Sequence, residues 1–408
     1  MYNELSKYYY KSEVLWEETY SERFNNLSAV HLDFSVREYK HQLKCPLFFI
    51  YTNDIALLQS RILKANKELT GICGIVPPAA IQQFSVNCLV NEIRASNNIE
   101  GIKSSRREIK QAYDTEVPNR YMRLWGIVNK YKRILSQDSI SLSSCEDIRA
   151  LYNEFILKEI IKNSPGNIPD GQLFRKSGVD VVTPSQDIIH RGTEPEEEII
   201  SSLTKALEIL NNDEIPSLIR IAIFHYLFGY IHPFYDGNGR MSRFITSYLL
   251  AKETDITVAF GLSLLINKHR KIYYDMFRKT NSYINRGDLT PFIIGSLELI
   301  LASAQMTARI LKKKQAKFNR CTTYLENITQ DKGALTKAIY HILLQAAIFS
   351  NSGATITEIS DALSKSPKTI RTHLDKIPAK HIKVSDKHKP YRYRLRINPS
   401  EPVEKQGK

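Results

Sequence analysis

Apolar residues recur at helical spacing along most of this chain. Ile55, Leu58, Ile62 and Leu63 set that period over residues 54–68. Gly71 to Pro78 is expected to break the helix, and a second is expected over 81–95, ending in the stretch Arg94 to Ile102. Further helices are expected at about 105–114, 118–135, 145–160 and 194–211. The last has the clearest start: Thr193 can cap it, and Glu194, Glu196, Glu197 and Glu198 complement its N-terminal dipole. Two apolar runs, Leu218 to Ile231 and Phe244 to Leu250, enclose a dense polar cluster. They read as two mostly buried helices joined by a turn.

Three stretches depart from the helical pattern. Residues 1 to about 50 are rich in Tyr, Trp and Phe and are expected to form an N-terminal arm packed on the body. Phe174 to Val182 shows β-branched alternation after Ser177-Gly178, which predicts a short hairpin. Residues 334–396 read as a separate small unit. Thr355 to Leu363 and Ser364 to Leu374 predict helix, tight turn, helix, while Ile382 to Val384 and Tyr391 to Ile397 predict a two-stranded wing. The expectation is an all-α fold with a small β-hairpin and a C-terminal winged helix-turn-helix. Its expected divisions are 1–115, 116–330 and 331–408.

Composition narrows the class. The chain has 408 residues, 42% of them apolar, which suits a globular protein of two or three domains. No run of roughly 18 uncharged apolar residues is read, so no membrane span is expected. The N-terminus lacks a basic segment followed by an apolar one and does not read as a secretory signal. Cys45, Cys73, Cys88, Cys145 and Cys321 lie without metal spacing, which points to a reduced, cytoplasmic compartment. The net charge is +14, and residues 365–396 hold eleven Lys or Arg against Asp375 and Asp386. That excess suits nucleic acid, an acidic partner or solubility.

The chemistry concentrates in the turn His232-Pro-Phe-Tyr-Asp-Gly-Asn-Gly-Arg-Met-Ser-Arg243. Gly237 and Gly239 let backbone approach a ligand closely. The next helix begins near Arg240, so its free N–H groups face the same turn. Such a combination is an anion site suited to polyphosphate.

This stretch resembles the signature of the Fic family, with every defined position filled. The resemblance implies transfer of AMP from ATP to a hydroxyl side chain of a target protein, on a helical core with a β-hairpin flap. In that reading His232 is the general base and Asp236 a hard oxygen ligand for Mg²⁺. Gly237, Asn238 and Gly239 line the anion hole, while Arg240 and Arg243, three apart on one helix face, pair with phosphate. Tyr273, Tyr274 and Asn281 match the family segment that encloses adenine, although either tyrosine could instead pack the core. Val181, Val182 and Thr183 match the flap, whose strand edge could take a target segment.

Ser96-Asn-Asn-Ile-Glu-Gly101 resembles the family's inhibitory motif. Ser96, Glu100 and Gly101 would then remove Arg243 from the γ-phosphate. Alternatively, Ser96 and Glu100 form an i,i+4 pair on a solvated face. His225 reads as a satisfied core histidine rather than a metal ligand, and His190 as a loop residue that could touch nucleotide. Lys368, Thr369 and Arg371 could meet duplex DNA, or the same unit could dock protein or form a homodimer. Two rival functions stay open. The site could remove AMP, with Glu100 positioning water, or the Fic core could be a nucleotide sensor in a DNA-binding regulator.

Overall fold

The structure, a computed structural model, describes residues 2–118, 120–182, 188–350, 353–385 and 391–396. It is mostly helical, and its strands form three separate antiparallel pairs among the described residues. The chain gathers into two compact units. One comprises Met1–Lys67 and Leu89–Gln305, the other Glu68–Cys88 and Met306–Lys408.

The first unit is organised around the helix Ser217–Ile231, in which eleven of fifteen residues are buried on all sides. A helix apolar all round belongs at the centre of a core. It packs against Glu196–Leu210 and Asn238–Glu253. The N-terminal fifty residues do pack on this body: the Trp16 indole donates to the Ile284 carbonyl at 2.9 Å, and Tyr2 donates to Asp288 at 2.6 Å. They also hold an unexpected hairpin, Ala29–Arg37 with Lys44–Ile50.

Several boundaries differ from expectation. The helix Asn53–Ile75 runs through Gly71 and Gly74, and the break comes at Val76-Pro77. The helix expected from residue 118 starts at Trp125, after Leu124 turns left-handed at φ 65°. A π-helical turn, Asn153–Leu157, interrupts the helical run between Cys145 and Asn163. Thr193 does not cap Glu196–Leu210; Pro195 stands at that position. Glu196 folds back instead, accepting from the backbone N–H groups of Gln172, Leu173 and Phe174. The expected flap hairpin forms, pairing Asp180–Val182 with Ile188–Arg191. One helix, Thr290–Ile328, is long and apolar enough to cross a membrane, a property not read from the sequence. In the first unit it buries Phe292, Ile293, Leu297 and Ile300, as a core helix does.

In the second unit, Ala334–Phe349 precedes Ile356–Leu363 and Pro367–Leu374. Thr355 and Glu358 close a capping box on one, and Ser366 caps the other. Ser364, left-handed at φ 50°, makes the tight turn between them. The hairpin Ile382–Ser385 with Arg392–Leu395 follows, with Lys383 opposite Arg394 and Val384 opposite Tyr393. Ile339, Leu343, Ile359, Ile370, Leu374 and Leu395 form its core.

Candidate active site around the His232–Arg243 turn

The helix Ser217–Ile231 ends because His232 adopts φ 54°, ψ 59°, a left-handed conformation uncommon outside glycine. This folds the ring back so that Nδ1 lies 3.3 Å from the Gly229 carbonyl oxygen. A carbonyl only accepts, so Nδ1 carries the proton and Nε2 keeps its lone pair. The fully buried Arg175 supports the turn from below. Its Nε donates to the His232 carbonyl at 3.0 Å, and its Nη atoms donate to Ser177 and Thr193 carbonyls. His190, buried on the flap strand, holds the Tyr230 carbonyl through Nε2 at 2.6 Å. Burial, then the neighbouring His190 and Arg175, pushes the His232 pKa down to about 4. At neutral pH the ring is a neutral base.

Phe234 anchors the turn in the core, stacked 3.8 Å from Tyr152 and edge-on to Phe174. Asn238 closes it: its amide nitrogen donates to the Phe234 carbonyl at 2.7 Å, and its amide oxygen accepts from the Phe234 N–H at 2.9 Å. The Asn238 side chain is thus committed to the loop, leaving only its backbone N–H for an anion. Gly237, at φ 90°, starts the helix Asn238–Glu253, whose first N–H groups have no intrahelical partner. Asp236 is 39% exposed, with Oδ1 3.6 Å from Arg240 Nη2. Arg240 is buried and donates to Glu159 at 2.7 Å.

Arg243 is buried and held by the helix Pro78–Ile99 and the residue after it. Its Nε donates to Ser96 Oγ at 3.0 Å, and its Nη2 donates to the Ser96 carbonyl at 3.0 Å and to Glu100 Oε1 at 2.7 Å. Ser96 and Glu100 therefore do not simply pair with each other on a solvated face: Ser96 is buried, and Glu100, its side chain 33% exposed, turns its carboxylate to Arg243. The Glu100 carboxylate lies against Gly239, over the N-terminus of the following helix. A larger residue at Gly239 would strike it. Burial works against the Glu100 charge, but the Arg243 guanidinium outweighs it and holds the carboxyl below its usual range. Gly101 leaves the helix at φ 72°.

The other expected positions divide. Tyr273 is buried and shares a 2.8 Å hydrogen bond with His225 Nε2, whose Nδ1 meets Thr246 and Ser242 hydroxyls. Its ring lines a small apolar pocket with Ile221, Leu262, Ile266 and Met276. Tyr274 beside it is 43% exposed. Asn281 accepts from the buried Tyr226 hydroxyl at 2.8 Å, so its amide oxygen is taken. Val181 and Val182 lie on the flap strand; Thr183 lies outside the described residues. His190 is a buried strand residue rather than a loop residue. His225 is a satisfied core histidine, as read, with its pKa pushed by burial to about 3.

Three of the buried charges that went unread support the site. Arg175 sits in a stretch read only as hairpin, and nothing in that pattern marks it. Glu159 faces Arg240 from another helix, a pairing that spacing does not reveal. Glu92 lies eight residues before Glu100 and four before Ser96, so the spacing placed all three on one face. It is fully buried, accepting from the Ser263 N–H at 2.9 Å and from the Ser247 hydroxyl at 3.2 Å. Burial raises its pKa to about 7.

One turn of a helical core thus presents a histidine, a carboxylate, a helix N-terminus and two arginines, groups whose chemistry suits a phosphate. Residues 143–250 match the Fic/DOC family. The chain carries a Fic domain. A stretch of 72 residues is 36% identical to the protein adenylyltransferase Fic of Aedes aegypti, covering 18% of this chain and 13% of that protein. A longer stretch of 187 residues is 26% identical to a probable protein adenylyltransferase of Aquifex aeolicus, covering 44% and 53% respectively. The matches span less than two thirds of either relative. Among solved structures, a Fic family protein from Desulfovibrio desulfuricans shares the fold at TM-score 0.51 and 20% identity, over 85% of this chain and 96% of that one.

Proposed function

We propose that this protein transfers AMP from ATP to a hydroxyl side chain of a target protein and that Glu100 holds it in check. The observation that carries this reading is the clamp on Arg243: Ser96 and Glu100 occupy the guanidinium that would otherwise meet phosphate. His232 Nε2 takes the proton of the target hydroxyl as its oxygen bonds to the α-phosphorus. The bond from that phosphorus to the α–β bridging oxygen breaks, and pyrophosphate leaves. General-base help of this kind contributes roughly 10²–10⁴-fold. Helix N–H groups beyond Gly237 hold phosphate oxygens, and Arg243, once released, pairs with the terminal phosphate.

Mg²⁺ is the metal this chemistry implies. Among the described residues no three His, Cys, Asp or Glu converge. A lone, accessible Asp236 beside the anion site fits Mg²⁺, which keeps water and phosphate oxygens as its other ligands. Bound there, the ion would neutralise charge on the departing pyrophosphate. Val181 and Val182, on the flap strand, would align the target segment by strand addition.

Removal of AMP is the second reading, favoured by one observation: Glu100 lies close enough for its charge to be felt by His232. Labelled ATP supplied to the parent chain, Glu100→Gly and His232→Ala separates the readings. Expected are slow transfer by the parent, much faster transfer by Glu100→Gly and none by His232→Ala. A parent that strips AMP from a modified protein, losing that ability in Glu100→Gly, would favour removal.

A further inference from the structure

Within the second unit, the C-terminal part of the helix Thr290–Ile328 carries Arg309, Lys313, Lys317 and Arg320, all exposed. Their spacing, i, i+4, i+8 and i+11, puts them on one face. Like charges at i,i+4 repel by a few tenths of a kcal/mol per pair. The wing repeats the pattern: Lys383 and Arg394 stand directly opposite each other across the two strands, and both are exposed. Like charges placed so are unfavourable for the hairpin.

The two groups adjoin. Lys314 lies between them, partly buried and donating to the Ile348 carbonyl. Burial, and then Lys317 and Arg394, push its pKa below the usual lysine value. None of Arg309, Lys313, Lys317, Arg320, Lys383 or Arg394 has a carboxylate partner among the described residues. Neighbouring cations do: Lys312 reaches Glu68 at 3.9 Å and Arg392 reaches Glu358 at 3.4 Å.

An external polyanion would relieve this repulsion. The stripe runs ~16 Å along the helix at ~1.5 Å per residue, against one phosphate per ~3.4 Å of axis on a DNA strand. Ile310, 39% exposed, is the large apolar side chain laid bare beside it. Charged residues are depleted at the core of protein interfaces, and a membrane-surface helix needs an apolar face to insert. We propose that this face, the long helix with the outer side of the wing, grips the phosphate backbone of duplex DNA. It is distinct from the exposed Lys368 and Arg371 on Pro367–Leu374, which would face base edges.

The test uses the full chain and a fluorescent 20-base-pair duplex of mixed sequence, titrated at low and moderate salt. Expected is binding that weakens steeply with salt. Lys313→Glu with Lys317→Glu and Arg394→Glu should lower affinity more than tenfold and flatten the salt slope. Adenylyl transfer to a small acceptor should be unchanged. Single Lys313→Gln and Lys317→Gln changes, which keep size and cannot unfold the helix, should each reduce the slope by about 1. The proposal is overturned by no binding at low salt, or by binding that the triple and single changes leave alone. It is also overturned if Lys368→Glu with Arg371→Glu alone abolishes binding, or if an acidic polypeptide binds and the duplex does not.

Discussion

Arg243 illustrates how much a single guanidinium can decide. It is buried and makes three hydrogen bonds to two residues that lie far from it in sequence. All three are charge-assisted by the guanidinium, but Glu100 adds an ionised acceptor where Ser96 offers neutral ones, so Glu100 holds it more strongly. Ser96→Ala removes one bond from the charged guanidinium to a neutral hydroxyl, about 1.5–3 kcal/mol, and leaves the ion pair. Under the proposed function, Ser96→Ala should raise the transfer rate several-fold, and less than Glu100→Gly does. Rates measured side by side with labelled ATP check the order; a Ser96→Ala rate equal to that of Glu100→Gly would contradict it. Asp236→Asn should raise the Mg²⁺ concentration needed for half-maximal transfer, since one anionic oxygen is lost. An unchanged Mg²⁺ titration would remove Asp236 from that role.

The two helices that flank the turn are held in register by Asn238, whose side chain bonds both backbone groups of Phe234. Asn238→Ala leaves two buried backbone groups unpaired, at about 1–3 kcal/mol each. It should lower the thermal midpoint by several degrees and weaken transfer, while Asn238→Asp recovers part of the stability. Calorimetry of the three proteins reads this directly; equal midpoints would show the bonds to be dispensable. The same turn shows what the sequence discloses. His232 to Arg243 was legible because glycines, a base and arginines at fixed spacing are local facts. The hairpin Ala29–Arg37 with Lys44–Ile50 was equally local. Leu32, Phe34 and Val36 are buried and alternate with exposed His31, Asp33 and Ser35, a period-2 pattern hidden by the aromatic residues around it. Arg175, Glu159 and the inward turn of Asn238 were not legible. Each depends on which backbone carbonyl or carboxylate a distant segment delivers.

Across the whole molecule, buried titratable groups set opposing responses to pH. His225, at about 3, and His232, at about 4, stay neutral in the folded chain where unfolded histidines, near 6.5, take up protons. Between pH 6.5 and 4 the unfolded chain binds more protons, so these two make stability fall as pH falls. Glu92 does the reverse. Raised from 4.5 to about 7, it keeps a proton that the unfolded chain has lost, so its contribution falls as pH rises through that interval. The effects partly cancel between about pH 5 and 6.5. Glu92→Gln removes the opposing contribution. Stability should then rise with pH more steeply, by up to about 1.4 kcal/mol per pH unit, one group's share. Urea midpoints of both proteins at pH 5.0, 5.75 and 6.5 test it, and a slope no steeper in Glu92→Gln would refute it.

The carboxylate of Glu100 is part of the same chain as the arginine it engages, and that changes what kind of competitor it is. A free carboxylate acts through its concentration in solution; a tethered one acts through an effective concentration fixed by the geometry of its tether, commonly millimolar for a short link. Diluting the protein therefore does not weaken the contact, and adding acetate does not strengthen it. Any phosphate-bearing ligand that needs Arg243 meets a rival present in the ratio of one per site. Under the proposed function, release must come from something that moves the end of the helix Pro78–Ile99 away from the turn, or from a ligand abundant enough to outcompete that fixed local concentration.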